Sequence, residues 1–335
     1  MKVWFNQGLS NTFDALHIIR DADAANAITL LASHANPSLP ISRVAHHVFA
    51  EPPTADDDSY VAWCLARCAE YGVDVFIPQR RREAIAARRS AFAAQGIALS
   101  LMGDAGIMAM VDRKDALYDD LSGTDVPVPP YRRFRTVAEF DAAADELGDA
   151  AHGLCVKPSV GVYGAGFRIL ERSGCELKRI LSGDGFRTSF DAFRAALAES
   201  AQDRDMMLMA YLPGVERSVD VLAHRGRIAC AVARVKVGSH QVLETDGVSV
   251  DIAARLTERY GLDGMFNVQT REWDGIPYLL EINSRMSGGL LYSCQSGVAL
   301  PYWAVLLAAG KASPEDVPAP MPGVRVAPVQ GCVRL

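Results

Sequence analysis

The sequence predicts an α/β chain over its first hundred residues and an α+β arrangement after them. Three observations carry this. From residue 1 to 105, strand-like and helix-like runs alternate, the pattern of an open parallel sheet. Further on, apolar runs come in pairs about short turns, the pattern of antiparallel hairpins. The run Tyr278-Leu279-Leu280-Glu281-Ile282-Asn283-Ser284-Arg285 then sets Glu281, Asn283 and Arg285 on one face of a strand and Leu280 and Ile282 on the other.

In order, 2–7 is a strand, Gly8-Leu9-Ser10-Asn11 a turn, and 12–21 an amphipathic helix. The turn holds one glycine rather than G-x-G-x-x-G, so a dinucleotide site is weakly supported; its place at a strand's carboxyl end could still let it touch a substrate. Strands follow at 27–32 and 44–49. His46 and His47 fall on opposite faces of the second, poor geometry for chelation, and are read as packed side chains. A helix at 56–71 opens on three aspartates, which suits the positive end of its dipole. The next elements are strand 73–77, helix 80–95, whose arginines read as a solvated face, and strand 97–101.

A helix at 112–121 carries Lys114 near its start, and an extended proline-rich connector leads to helix 136–147. There Thr136 and Glu139 have capping-box spacing. The strand Leu154-Cys155-Val156-Lys157-Pro158 runs into a loop with glycines at 161, 164 and 166. Glycine lets backbone N–H groups close on phosphate oxygens, and lysine adds a point charge. Residues 171–205 read as helical. An apolar strand at 206–212 ends at Pro213-Gly214, with Glu216 beyond. Strands 218–223 and 227–237 pair about 224–226. A helix at 251–260 leads to the run Phe266-Asn267-Val268-Gln269 and, past Asp274-Gly275, to the polar-faced strand. A loop centred on Gly275 sets Gln269 opposite Glu281 and Asn267 opposite Asn283; a slip of one residue would turn Gln269 away. An apolar helix at 301–309 and a final strand within 324–333 close the chain.

The chain has 335 residues, 22% of them charged, and a net charge of −6, which argues against nucleic acid as the main partner. Seven scattered cysteines without a C-x-x-C pair read as reduced thiols. The N-terminus lacks signal-peptide architecture and no apolar stretch is long enough to span a bilayer, so the expectation is a cytoplasmic protein. Glu281, Asn283 and Gln269 supply oxygen donors of the kind Mg²⁺ takes, and an arginine beside them suits a phosphoryl group in transfer.

Taken together, Arg113-Lys114-Asp115-Ala116-Leu117-Tyr118, Val156-Lys157-Pro158 with its glycine loop, Tyr211-Leu212-Pro213-Gly214-Val215-Glu216, Phe266-Asn267-Val268-Gln269 and Glu281-Ile282-Asn283-Ser284-Arg285 resemble the ATP-grasp superfamily. The likeness is strongest to its carbamoyl-phosphate-synthetase-like and biotin-carboxylase-like members. It implies an ATP-grasp fold behind an N-terminal open α/β (pre-ATP-grasp) domain at 1–105, a small subdomain at 106–205 and a C-terminal subdomain at 206–335.

For the cofactor, the resemblance implies that Lys114 and Lys157 contact nucleotide phosphates under the loop that includes Ser159, Gly164 and Gly166. Ala210, Tyr211 and Leu212 would meet the adenine, and Glu216 the ribose. Gln269, Glu281 and Asn283 would hold one or two Mg²⁺ ions, or Mn²⁺ in their place. Arg285 and Asn267 are the catalytic candidates, with Arg234 and Lys236 as further phosphate or substrate contacts. The implied activity is an ATP-dependent ligase that joins a small-molecule carboxylate to an amine through an acyl-phosphate, with a homodimer as the common assembly. A non-catalytic ATP-binding regulatory module and a kinase-like phosphotransferase are the alternatives. Ala210 stands where the family has an acidic residue, and Ser284 where it has proline.

Overall fold

The computed structural model describes residues 1–8, 11–36, 40–53, 56–148, 150, 152–161, 164–199 and 204–329. The chain forms two units, one of Met1–Ala109, Glu216–Gln269 and Ile282–Leu335, the other of Met110–Val215 and Thr270–Glu281. Among the described residues no helix is long and apolar enough to cross a membrane.

The first unit opens with a parallel sheet of β1 (Lys2–Phe5), β2 (Thr29–His34), β3 (His47–Ala50), β4 (Val75–Ile77) and β5 (Ala98–Leu99), in the order β3-β2-β1-β4-β5. Alternation along β1 sends Val3 and Phe5 into a core with Leu16 and Ile19 of the helix Asn11–Ala22. Trp4 points the other way and stacks on Phe76 at 4.2 Å. The helix Asp57–Tyr71 begins where Asp56 accepts from the Ser59 N–H and stops at the left-handed Gly72. The strand order reverses between β1 and β4, so their carboxyl ends share a crevice, the usual ligand side of such sheets. There Asn6 Oδ1 accepts from Gln79 N at 2.5 Å. Gly8 lies so close that a Cβ would meet Gln79 Cβ at 2.7 Å. Leu9 and Ser10 of the predicted turn lie outside the described residues.

Two expectations for this unit need correction. The arginines at 80–82 do not form a solvated face: Arg80 pairs with the buried Glu51 at 3.3 Å, Arg81 with Asp57 at 2.7 Å, and Arg82 donates to Gln79 O and Ser284 Oγ. The predicted helix there is two short ones, Arg82–Ala87 and Arg89–Ala94, and the arginine between them, Arg88, reaches out to Asp58. His46 and His47 are exposed rather than packed, although His46 Nδ1 accepts from Leu30 N at 2.9 Å.

The second unit holds β6 (Tyr131–Phe134), β7 (Leu154–Pro158), β8 (Arg168–Glu171), β9 (Arg187–Ser189) and β10 (Met206–Ala210), in the order β6-β10-β7-β8-β9. Leu154, Val156 and Leu208 face the helices Val137–Leu147 and Phe190–Glu199 through Phe140 and Leu197. Cys155, Met207 and Met209 face Tyr118 on the other side, and alternation puts Lys157 with them. Thr136 and Glu139 close the capping box that their spacing predicts. Residues 171–205 are not simply helical: β8 and β9 lie at and within that stretch and are too short to show a period of two.

A third sheet is formed by β11 (Glu216–His224), β12 (Arg227–Val237), β13 (His240–Glu244), β14 (Gly264–Trp273), β15 (Ile276–Asn283) and β16 (Arg325–Val326), in the order β15-β14-β11-β12-β13-β16. The register Ser218↔Arg234 and Asp220↔Val232 places Ser218, Asp220 and Arg234 on one face. Asp274 and Gly275, at φ 50° and 78°, join β14 to β15 in a two-residue turn. The loop is thus centred between these residues, not on Gly275; in an unbulged ladder that count sets Gln269 against Leu280, and the predicted opposition to Glu281 requires a bulge. Of the predicted last strand, β16 is the described part, and residues 330–335 lie outside it.

Candidate functional site

In the second unit the two predicted lysines and the predicted carboxylate come together. Lys114 is the first residue of the helix Lys114–Asp120, and its Nζ lies 3.2 Å from Glu281 Oε2 and 2.9 Å from the Gly161 carbonyl. Lys157, near the end of β7, donates to Tyr118 Oη at 3.2 Å and to Leu280 O at 3.3 Å, and its cation rests 5.2 Å from the Tyr118 ring centroid. Tyr118 Oη in turn donates to Leu280 O at 2.8 Å. Tyr118 stands one helical turn after Lys114, so one face of the helix serves both lysines. The sequence motif that contains Lys114 also contains Tyr118, and the i, i+4 spacing was the signal for a role that was not assigned to it.

Burial pushes the Lys157 ammonium down to about 8; Glu281 works against this and Lys114 with it. The Tyr118 hydroxyl is pushed well up, by burial first and by the Glu281 charge second. Two cations and one carboxylate thus share a small volume, an arrangement able to take up added negative charge. Gly164 and Gly166 hold φ 66° and 80°, and a Cβ on Gly166 would strike Pro158 Cγ at 2.8 Å, so the loop folds back on the strand that carries Lys157. Ser159 is fully buried and its Oγ has no partner. Val162 and Tyr163 lie outside the described residues.

Of the predicted adenine stretch, Ala210 spends its N–H on Pro130 O and Tyr211 on Gly153 O, at 3.0 and 2.9 Å. Beside it Met207 and Met209 supply an apolar face.

In the first unit Gln269, midway along β14, and Asn283, the last residue of β15, are partly buried, and Glu216 is exposed. Asn267 is fully buried, and its amide nitrogen donates to Val219 O at 3.0 Å, Asp220 Oδ1 at 2.8 Å and Ser218 Oγ at 3.0 Å. Through these bonds it helps to hold Asp220 in place. Asp220, itself buried, also accepts from Ser293 Oγ at 2.5 Å and Arg234 Nε at 3.0 Å. Arg234 further donates to Ser218 Oγ, Ser287 Oγ and Gln241 Oε1 at 2.8, 3.0 and 3.2 Å. Its guanidinium is therefore a fixed support for the turn after β15. Lys236, two residues on, is exposed. Arg285 Nη1 donates to Met286 O at 3.0 Å, and Asn11 Nδ2 donates to the same carbonyl. Nothing local marks Asp220 as a functional residue, because it is made useful by partners distant in sequence.

Among the described residues no three His, Cys, Asp or Glu side chains are grouped as a metal site. The predicted donors are one carboxylate and two amide oxygens, a hard oxygen set that suits Mg²⁺ when phosphate oxygens and water complete the shell.

An open parallel sheet, a small lysine-bearing sheet with a glycine loop and a larger antiparallel sheet with a polar-ended hairpin make up the ATP-grasp fold. Residues 202–332 match the family described as ATP-grasp in the biosynthetic pathway with Ter operon. In sequence the chain is similar to the arginine-specific large chain of carbamoyl phosphate synthase from Geobacillus stearothermophilus, 27% identical over 239 residues, covering 65% of this chain and 21% of that one. The chain thus spans about a fifth of that relative's length. In structure it is similar to the biotin carboxylase domain dimer of Hydrogenobacter thermophilus 2-oxoglutarate carboxylase, in complex with MgADP, ADP and bicarbonate (TM-score 0.64, 17% identity, 94% and 72% covered). It is also similar to N5-carboxyaminoimidazole ribonucleotide synthetase in its ADP complex (TM-score 0.66, 13% identity, 96% and 78% covered).

Proposed function

We propose that this chain is an ATP- and Mg²⁺-dependent ligase that joins a small carboxylic acid to an amine. The observation that carries the reading is the close group of the buried Lys114 and the partly buried Lys157 and Glu281 beside the glycine loop. A buried ammonium costs stability unless something compensates it, and a triphosphate is a natural compensation for two of them. Lys114 and Lys157 bind the phosphates, and Leu212, whose two predecessors have spent their N–H groups within the fold, offers its own to the adenine edge.

In the first step a carboxylate oxygen attacks the γ-phosphorus, the bond to the β-phosphate oxygen breaks, and ADP leaves with the electron pair. Arg285 stabilises the charge on the phosphoryl group in transfer. In the second, the amine nitrogen attacks the carbonyl carbon, the C–N bond forms, and phosphate departs with the C–O electron pair and takes the amine's proton. The loop around Gly164 and Gly166 keeps water from the acyl-phosphate. Gln269, Glu281 and Asn283 would hold Mg²⁺, which supplies charge neutralisation at the phosphates when bound. A homodimer in the cytoplasm completes the proposal; the described cysteines are all free thiols.

The test is ADP and phosphate release with Mg-ATP across a panel of carboxylic acids and amines, with and without chelator. A ligase releases both products only when acid, amine and metal are present. ADP without free phosphate means a phosphotransferase, and no release with intact ATP binding means a regulatory module.

A further inference from the structure

Asn11 opens the first helix and is 4% exposed. Its Nδ2 donates to Met286 O at 2.8 Å and to Ser287 O at 3.0 Å. Both partners are carbonyls, which only accept, so turning the amide over would set oxygen against oxygen. Oδ1 is therefore fixed on the opposite side, buried and without a donor. A buried acceptor left unmatched is costly, and such groups ordinarily have a partner from the protein, from water or from a ligand.

The position of this oxygen gives it meaning. Met286 O also accepts from Arg285 Nη1 at 3.0 Å, so a single carbonyl ties Asn11 to the guanidinium assigned to the phosphoryl group. The turn between them is fixed from its other side, where Ser287 Oγ accepts from Arg234 Nη2 and from Gly289 N. Asn11 is thus held by its nitrogen, which shares the Met286 carbonyl with Arg285, and its oxygen is left without a partner from the protein.

We propose that Asn11 Oδ1 accepts a hydrogen bond from an N–H of the amine substrate and sets its nitrogen beside the acyl group that Arg285 steadies. The proposal rests on the ligase reading above. It specifies ligand chemistry: an N–H donor matches the orphan lone pairs, whereas a second carboxylate or a phosphate would be repelled by them.

Hydroxylamine separates this role from simple support of the turn, because it traps an acyl-phosphate as a hydroxamate whatever the natural amine is. Wild type, Asn11→Ala and Asn11→Ser are compared with Mg-ATP and a panel of small carboxylic acids. Hydroxamate is read in one arm, and phosphate release driven by amino acids and simple primary amines in the other. Serine can return a donor to Met286 O, so the two variants bracket loss of the clamp. The expected result is an amine KM raised about tenfold in both variants, the worth of one lost hydrogen bond, with hydroxamate formation reduced by far less. A parallel fall in both arms, or unchanged amine KM with lowered thermal stability, would assign Asn11 to support of the turn or to a buried water and overturn the proposal. Wild type that yields no hydroxamate with any acid overturns the ligase reading, and this proposal with it.

Discussion

A methyl group added at Gly289 would land on the Arg234 guanidinium, 2.0 Å from Nη1 and 2.2 Å from Cζ. The glycine's backbone has an ordinary negative φ, −100°, so the clash is with a neighbour and not with the residue's own conformation. The neighbour is the far end of a flexible side chain, and Gly289→Ala is relieved by moving Arg234. What the movement costs is the set of bonds that Arg234 now makes. Asp220 would lose its cation while remaining buried, and Ser218, Ser287 and Gln241 would lose a donor. Breaking a buried pair costs about 3–5 kcal/mol. Asp220 keeps Asn267 and Ser293 as donors, so the lower figure applies, about 3 kcal/mol. Gly288 is the control: a Cβ there meets nothing within 4 Å, and Gly288→Ala should stay within about 0.5 kcal/mol of wild type. Urea denaturation of the three proteins measures the differences. Equal stability of Gly289→Ala and wild type, or an equal loss in Gly288→Ala, refutes the claim that the turn is packed on Arg234.

Lys157 sits at about 8 in the free protein, and its charge is present below that pH and lost above it. kcat/KM for ATP should therefore fall as pH rises through 8, and Lys157→Met should be low and flat across that range; a wild-type profile without this limb would remove Lys157 from phosphate binding. Arg285→Ala should lower kcat by about 10²–10³ with ATP affinity little changed, as loss of a preorganised charge contact does, and turnover equal to wild type would exclude Arg285 from the chemistry.

Much of the fold was legible because strong local signals agree with the tertiary result. The helix Val137–Leu147 announces itself by Thr136 and Glu139, and the helix Asp57–Tyr71 by its aspartates. The pairing of β11 with β12 follows from two apolar runs about Arg225-Gly226, both at positive φ. Short strands such as β8 and β9 were missed, since a run of three or four residues cannot display a period. In the site, Lys114, Lys157 and Glu281 could be singled out in advance because a charged residue within an apolar strand or at a helix start is conspicuous. Asn267 stands out as a polar residue on an apolar strand, but nothing local marks Val219 and Asp220 as the partners of its amide nitrogen. Nothing local marks Arg82 as a partner of Ser284, or Asn11 as a partner of Met286, because these contacts join residues more than two hundred positions apart.

The central claim is that a carboxylate takes the γ-phosphoryl group before an amine displaces it. Turnover of a carboxylic acid labelled with ¹⁸O in its carboxylate tests this most directly, with mass analysis of the inorganic phosphate released. An acyl-phosphate route moves one labelled oxygen from the acid to each phosphate; phosphate free of label would contradict it.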